Sequence, residues 1–229
     1  MNDQSPPLKL VDGFELAEKY RQALRPGQLL ADREGRLRRL PRFFYEISSR
    51  EAAREIELTP HFSLWELITV DVRETEVLRD YPRYVPCAIT VLAACLELLR
   101  EKVGTFVHVA ANGGYRSPAH ALSRDASTHL WGTAANIYRI GDEYLDDQER
   151  IERFGAIAAG VLPGVWVRPY GNARGYADDH LHLDLGYITV VPREAAGEEE
   201  DRPPGAGQEH EPHSEELSRW ETLSRRRPR

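Results

Sequence analysis

Two short stretches of this chain bring histidines and carboxylates together: Ser127-Thr128-His129-Leu130-Trp131-Gly132-Thr133-Ala134-Ala135-Asn136 and Asp179-His180-Leu181-His182-Leu183-Asp184. Those residue types are metal-site chemistry. A zinc centre takes about three protein ligands of the His, Asp or Glu kind and, when catalytic, keeps one position open for water. His129, His182 and a residue near 136 are the candidate ligands. His180 and His182 stand two apart in an alternating run, so on a strand they share a face, one free to bind a metal and the other to meet substrate or move protons. Asp184 shares that face, and its expected role is to hydrogen-bond the ring of a ligating histidine. Asp178 and Asp179 precede the run, where a loop can aim a carboxylate at a metal-bound water as general base.

These residues need elements to hold them. Residues 12–25 carry apolar side chains at helical spacing and stop before Pro26-Gly27, which predicts a short amphipathic helix. Leu29-Leu30 and Leu37 to Leu40 flank Asp32-Arg33-Glu34-Gly35, the pattern of a small hairpin. The arginines around it, Arg33, Arg36, Arg38, Arg39 and Arg42, read first as a solvated face and second as a contact for an acidic partner. From Tyr84 to Glu101, Val85, Ile89, Leu92, Ala93, Leu96 and Leu99 recur at three- and four-residue steps, with Pro86 placed for a first helical turn. Strands are expected over Thr105–Ala111, Thr133–Ile140 and Leu181–Val191, and a helix over Glu143–Ala159. The order is α+β, a small antiparallel sheet covered by helices.

Composition bounds the reading. The 229 residues suffice for one domain of ordinary size plus tails, and the 41% of hydrophobic residues never form a membrane-spanning run. A formal charge of −7 argues against a non-specific grip on nucleic acid. The first residues have neither the basic start nor the apolar stretch of a secretory signal, so a cytoplasmic location is expected. Cys87 and Cys95 are read as core thiols eight residues apart in one helix, roughly 12 Å, too far to bridge. After Pro192 the composition turns to acidic, Pro-Gly and arginine runs, and residues 193–229 read as a disordered charged tail with a short helix possible around Glu215 to Leu223.

The motifs resemble those of the zinc D-Ala-D-Ala carboxypeptidases and related peptidoglycan D,D-peptidases, whose fold is shared by the hedgehog signalling domain. That family shows Ser-x-His-x-x-Gly-x-Ala-x-Asp, then a later strand histidine with an acidic residue three positions before it. Ser127, His129, Gly132 and Ala134 match the first part, and Asp179 and His182 the second. Gly113-Gly114-Tyr115-Arg116-Ser117 resembles the family's strand-to-turn element, and His61-Phe62-Ser63-Leu64-Trp65-Glu66-Leu67 an upstream landmark. The resemblance implies a D,D-peptidase-like domain over residues 60–192 behind an N-terminal accessory segment, 1–59. It implies zinc held by His129, a residue at 136 and His182, a catalytic set of Asp179, Arg116 and His180, and a peptide of the peptidoglycan type as substrate or ligand.

Asn136 departs from the pattern, for it stands where the family has its ligating Asp. A neutral amide is a weak zinc ligand. Three readings stay open: a site completed by His180 or Asp184, a weaker site with Asn136 bound through oxygen, or a pseudoenzyme. The function is therefore expected to be either zinc-dependent hydrolysis of D-amino-acid peptides or, in a catalytically inactive relative, recognition of a peptide or protein partner. His108 and His120 are read as structural, and Trp131 and Tyr138 as core.

Overall fold

The computed structural model describes residues 8–173 and 176–193. The expected tail beyond residue 193, with its possible helix, lies outside the described residues. In chain order the elements begin with β1 (Lys9–Asp12), α1 (Glu18–Leu24), β2 (Leu29–Ala31), β3 (Leu37–Arg39), β4 (Phe43–Glu46) and α2 (Arg50–Glu55). Then come β5 (Glu57–Thr59), β6 (Phe62–Ser63), α3 (Leu64–Ile68), β7 (Tyr84–Pro86), α4 (Ile89–Val103) and β8 (Val107–Val109). The last are β9 (Ala134–Ile140), β10 (Glu143–Tyr144), α5 (Gln148–Val161), β11 (Trp166–Val167) and β12 (Leu181–Asp184). The architecture is α+β with small antiparallel sheets, as the pattern predicts.

The sheet that matters for the site is centred on β9, which pairs antiparallel with β8, β10 and β12, while β11 extends from the far side of β12. α5 packs on β11 and β12 and against α4. α4 buries Ile89, Leu92, Ala93, Leu96 and Leu99, one stripe at helical spacing. Fully burying each such leucine contributes about 1.5–3 kcal/mol. The helix ends at Gly104, whose φ of 69° closes it in a left-handed cap.

Several boundaries differ from the sequence reading. Residues 12–25 are not one helix: Asp12 ends β1, its side chain caps a 3-10 turn at Gly13–Glu15, and only Glu18–Leu24 is α-helical. Tyr84–Pro86 is a strand paired with Phe44–Glu46, so the helix starts at Ile89, and Cys87 lies before it while Cys95 lies within it. Both thiols are free, and burial pushes that of Cys87 up to about 12. Glu143 opens a two-residue strand, with the helix starting at Gln148 behind an Asp147 cap. The expected strand to Val191 stops at Asp184, because the Asp184 carboxylate accepts the Gly186 N–H at 2.7 Å and Gly186 turns the chain at φ 84°.

The N-terminal segment shares a sheet and a core with the rest of the described chain. β4 pairs with both β1 and β7, and Leu24, Phe44, Ile47 and Ala53 are buried in the same hydrophobic cluster as Leu92, Leu96 and Ile137. The hairpin β2–β3 forms where the sequence places it, with Leu29 opposite Arg39. It docks through a second, smaller cluster in which Leu30 and Leu40 meet Ala126, Leu130 and Trp131.

Candidate functional site

The glycine turn after β8 is built by close backbone approach. A Cβ on Gly114 would sit 2.0 Å from the Leu67 carbonyl oxygen, and one on Gly113 would sit 2.6 Å from that of Ala110. Only glycine fits at either position. α3 holds the turn from beneath: the Tyr115 N–H donates to the Leu67 carbonyl at 2.7 Å and the Asn112 N–H to that of Thr69 at 2.7 Å. The Gly113 carbonyl accepts the Asn136 N–H at 2.7 Å, and the Asn136 carbonyl accepts the Ala110 N–H at 2.9 Å. The turn thus fixes the backbone of residue 136, and its Gly114 carbonyl lies 2.8 Å from His129 Nδ1. With that carbonyl as acceptor, His129 carries its proton on Nδ1 and has a lone pair on Nε2.

His129 sits on a 3-10 turn, Thr128–Trp131, closed by Gly132 at φ 68°. His182 lies on β12 directly opposite Asn136 on β9. The two histidine rings are 5.2 Å apart, centroid to centroid, at 69°. His182 Nδ1 is 2.7 Å from Asn136 Oδ1, while its Nε2 is 3.4 Å from an Arg168 Nη2 and 3.9 Å from an Asp184 carboxylate oxygen. Asp184 is held in turn by the Thr128 hydroxyl at 2.9 Å. His129, Asn136 and His182 therefore meet at one place, and Asp184 stands behind them.

Both imidazoles are neutral near pH 7. Burial, helped by the Arg116 charge, holds His129 well below the usual histidine range, and burial with Arg168 nearby pulls His182 down to about 4. For Asp184, burial works against the charged form, but the His182 ring, the Gly186 N–H and the Thr128 hydroxyl outweigh it and keep the carboxyl below its ordinary value. Burial, then Arg168, lowers the Arg116 guanidinium to about 10, still charged at neutral pH.

These groups line a cavity of about 900 Å³. Its walls carry six arginines against four carboxylates, an excess of two positive charges in a chain of net charge −7. A second cavity of about 810 Å³ lies beside His108, whose Nε2 is 3.1 Å from Arg139; it gathers no comparable set of donors. His120 is structural: buried, with Nε2 3.0 Å from Asn112 Oδ1 and Nδ1 accepting the Leu122 N–H. Trp131 is core, 1% exposed.

Asp179 and His180 do not join the cavity. Asp179 is 80% exposed and bonds the adjacent His180 Nδ1 at 2.5 Å, and neither lines the cavity wall. His180 precedes β12 rather than belonging to it, with its ring 6.5 Å from that of His182. Arg116 does line the cavity, with one Nη on the Asn112 carbonyl at 3.4 Å and a buried Nε without a partner. Sequence reasoning missed Arg168. It comes directly after the two-residue strand β11, and its N–H donates to the His182 carbonyl at 3.1 Å, a position no local pattern announces. Arg33 and Trp166 complete the wall from elements far apart in sequence.

Among the described residues no three His, Cys, Asp or Glu side chains come together as a metal-holding group. The donors that do converge are two neutral imidazoles and one amide oxygen. That set carries no anionic ligand, and its third member is an amide oxygen, a weak partner for zinc. Taking up an ion at His182 Nδ1 also breaks its hydrogen bond to Asn136, worth about 1 kcal/mol. No protein-family model, curated protein or solved structure matches the chain.

Proposed function

We propose that the cavity is a peptide-binding site, in which Arg116 and Arg168 receive a peptide carboxylate and His129, Asn136 and His182 form a neutral polar floor. The observation that carries this is the pairing of two half-buried guanidiniums, neither in an ion pair among the described residues, with a floor that has an amide where the resembled hydrolases have a carboxylate. Arginine presents paired donors that match two carboxylate oxygens, and a partly desolvated site strengthens each such bond. Trp166, with its ring 5.8 Å from His182, offers an apolar wall for the adjoining residue. The peptide class, one with D-amino acids of the peptidoglycan type, comes from the motif resemblance.

A second reading, zinc-dependent peptidase, is favoured by the orientation of His129 against the Gly114 carbonyl, the kind of support that metal-ligating histidines receive. His129 Nε2, Asn136 Oδ1 and His182 Nδ1 would hold the ion. Bound there, zinc supplies Lewis-acid polarisation of a carbonyl and a water of lowered pKa. The chain's own contribution would be Arg116, steadying the substrate's carboxylate or oxyanion. Of the four lining carboxylates, Asp32 is paired to Arg38 at 2.9 Å, Glu34 to Arg36 at 3.0 Å, and Asp184 is held by Thr128 and Gly186, which leaves Asp125 as the candidate base.

Calorimetric titration of the full chain with N-acetyl-D-Ala-D-Ala and its C-terminal amide, in chelator and again with zinc, tests the choice. The binding reading expects the acid to bind in chelator, the amide and Arg116→Gln to lose most of that affinity, and mass spectrometry to find the peptide intact. Equal binding of acid and amide, or none, overturns it; zinc-dependent cleavage installs the second reading.

A further inference from the structure

The cavity's outer wall comes from the β2–β3 hairpin, which precedes every matched motif. The hairpin is locked in place. Asp32 accepts the backbone N–H groups of Glu34 and Arg36 and pairs with Arg38 at 2.9 Å, and the Arg38 guanidinium lies 4.4 Å over the Tyr187 ring. The Ala126 N–H donates to the Ala31 carbonyl at 2.8 Å, joining the hairpin to the segment that leads into His129. Of the arginines this brings to the cavity, Arg36 and Arg38 are paired with Glu34 and Asp32. Arg33 on the hairpin and Arg124 beside Ala126 are exposed, line the cavity, and have no carboxylate within ion-pair distance among the described residues.

We propose that Arg33 and Arg124 form a second anion subsite at the cavity mouth, so that the ligand is an acidic peptide with two carboxylates, one terminal and one on a side chain. This rests on the reading of the floor as a carboxylate site and adds to it the identity of the neighbouring residue. Two features support it. First, Arg33 acts electrostatically on both floor arginines, its charge being among the causes that lower Arg116 and Arg168, so it faces the same space. Second, the hairpin places its cation where no carboxylate among the described residues forms an ion pair with it, which leaves a ligand anion to do so. A neutral peptide would satisfy the floor and leave the mouth uncompensated.

The test compares N-acetyl-Glu-Ala with N-acetyl-Gln-Ala, in D,D and L,L forms, by titration against the full chain and against the Arg33→Gln/Arg124→Gln double variant. The glutamyl peptide is expected to bind about five- to tenfold tighter at low salt, the gain of an exposed charge contact at a partly desolvated site. That gain is expected to shrink at 0.5 M salt and vanish in the double variant, which binds the glutamyl and glutaminyl peptides equally. Both substituted residues are exposed, and an unchanged melting temperature verifies that the double variant is folded. Equal binding of the two peptides to the wild-type chain, or a glutamyl preference that survives in the double variant, overturns the mouth subsite while leaving the floor reading intact. Binding of neither peptide removes both.

Discussion

Asn136→Asp is the most informative single change in this protein. The amide oxygen is 2.7 Å from His182 Nδ1, and the ring is 2% exposed. A carboxylate there puts a full negative charge about 4 Å from the centre of an imidazolium, worth roughly 4 kcal/mol at an effective dielectric near 20, or about three pKa units. His182, pulled down to about 4 by burial and Arg168, is therefore expected to titrate near 7 in the variant. At pH 5.5 the wild-type ring is neutral and the variant ring charged.

The assay is a proton-carbon correlation spectrum of the histidine Cε1–H groups in chelator-treated protein between pH 3.5 and 9, with His182→Gln to assign the resonance. A midpoint that moves by less than about one unit would refute the geometry, since it would mean that residue 136 does not face the ring. The same variant supplies the anionic ligand a divalent ion lacks. Its zinc affinity is expected to rise at least tenfold, the low end of what a carboxylate contact contributes around a metal site.

The neutral histidines also shape stability. His182 has a folded pKa below its unfolded value near 6.5, so the unfolded chain binds more protons between the two; stability is full above about pH 6.5 and declines as pH falls toward 4, by roughly 3 kcal/mol for this group. Urea unfolding at pH 7 and pH 4.5 is expected to show that decline in the wild-type chain and a smaller one in His182→Gln. Gly114→Ala forces a methyl carbon to within 2.0 Å of the Leu67 carbonyl oxygen, backbone against backbone, and is expected to cost at least about 3 kcal/mol and to disturb the His129 contact; a melting temperature within 2 °C of wild type would contradict it. Glu46, kept below its ordinary value by Arg83 and Lys9, contributes stability above about pH 4.5 that disappears as pH falls through its folded value. Glu46→Gln is therefore expected to cost about 0.5–1 kcal/mol at pH 7 and almost nothing at pH 3, measured by denaturant unfolding.

Legibility in the sequence tracked the range of the interactions involved. The α4 stripe, the β2–β3 hairpin and β9 are readable because each is set by near neighbours: helical spacing, turn residues, an apolar strand. The ends of elements were decided at a distance. Tyr84–Pro86 has helical-looking spacing, yet its backbone is taken up by β4, which also hides the first sheet from any local pattern. Asp179 was placed by analogy of spacing, three residues before His182, but its carboxylate turns outward to His180 because β12 begins only at Leu181. The register that sets Asn136 opposite His182, and Arg168 beside both, depends on three strands from separate parts of the chain, and β11 is two residues long. His129, His182 and Arg116 stand out because each sits in a multi-residue motif, and Arg33 because it belongs to a basic cluster that reads second as a contact for an acidic partner; Arg168 does not, because nothing around it in sequence is distinctive.

The amide at 136 changes the cavity in two directions at once. A carboxylate in its place would attract a cation and would also offset part of the charge of Arg116 and Arg168. With asparagine, residue 136 takes nothing from the pull of those guanidiniums on an external anion. One substitution therefore separates the two readings by sign. At pH 8.5, where the His182 ring of the variant is neutral again, Asn136→Asp is expected to strengthen zinc binding while weakening binding of a carboxylate-terminated peptide in chelator, about tenfold for one added unit charge in a partly buried site. A variant that merely loosens the site lowers both affinities, and one whose residue 136 points elsewhere alters neither. Only opposite changes, read from zinc and peptide titrations on the same preparation, agree with a floor in which this side chain faces both the histidines and the ligand.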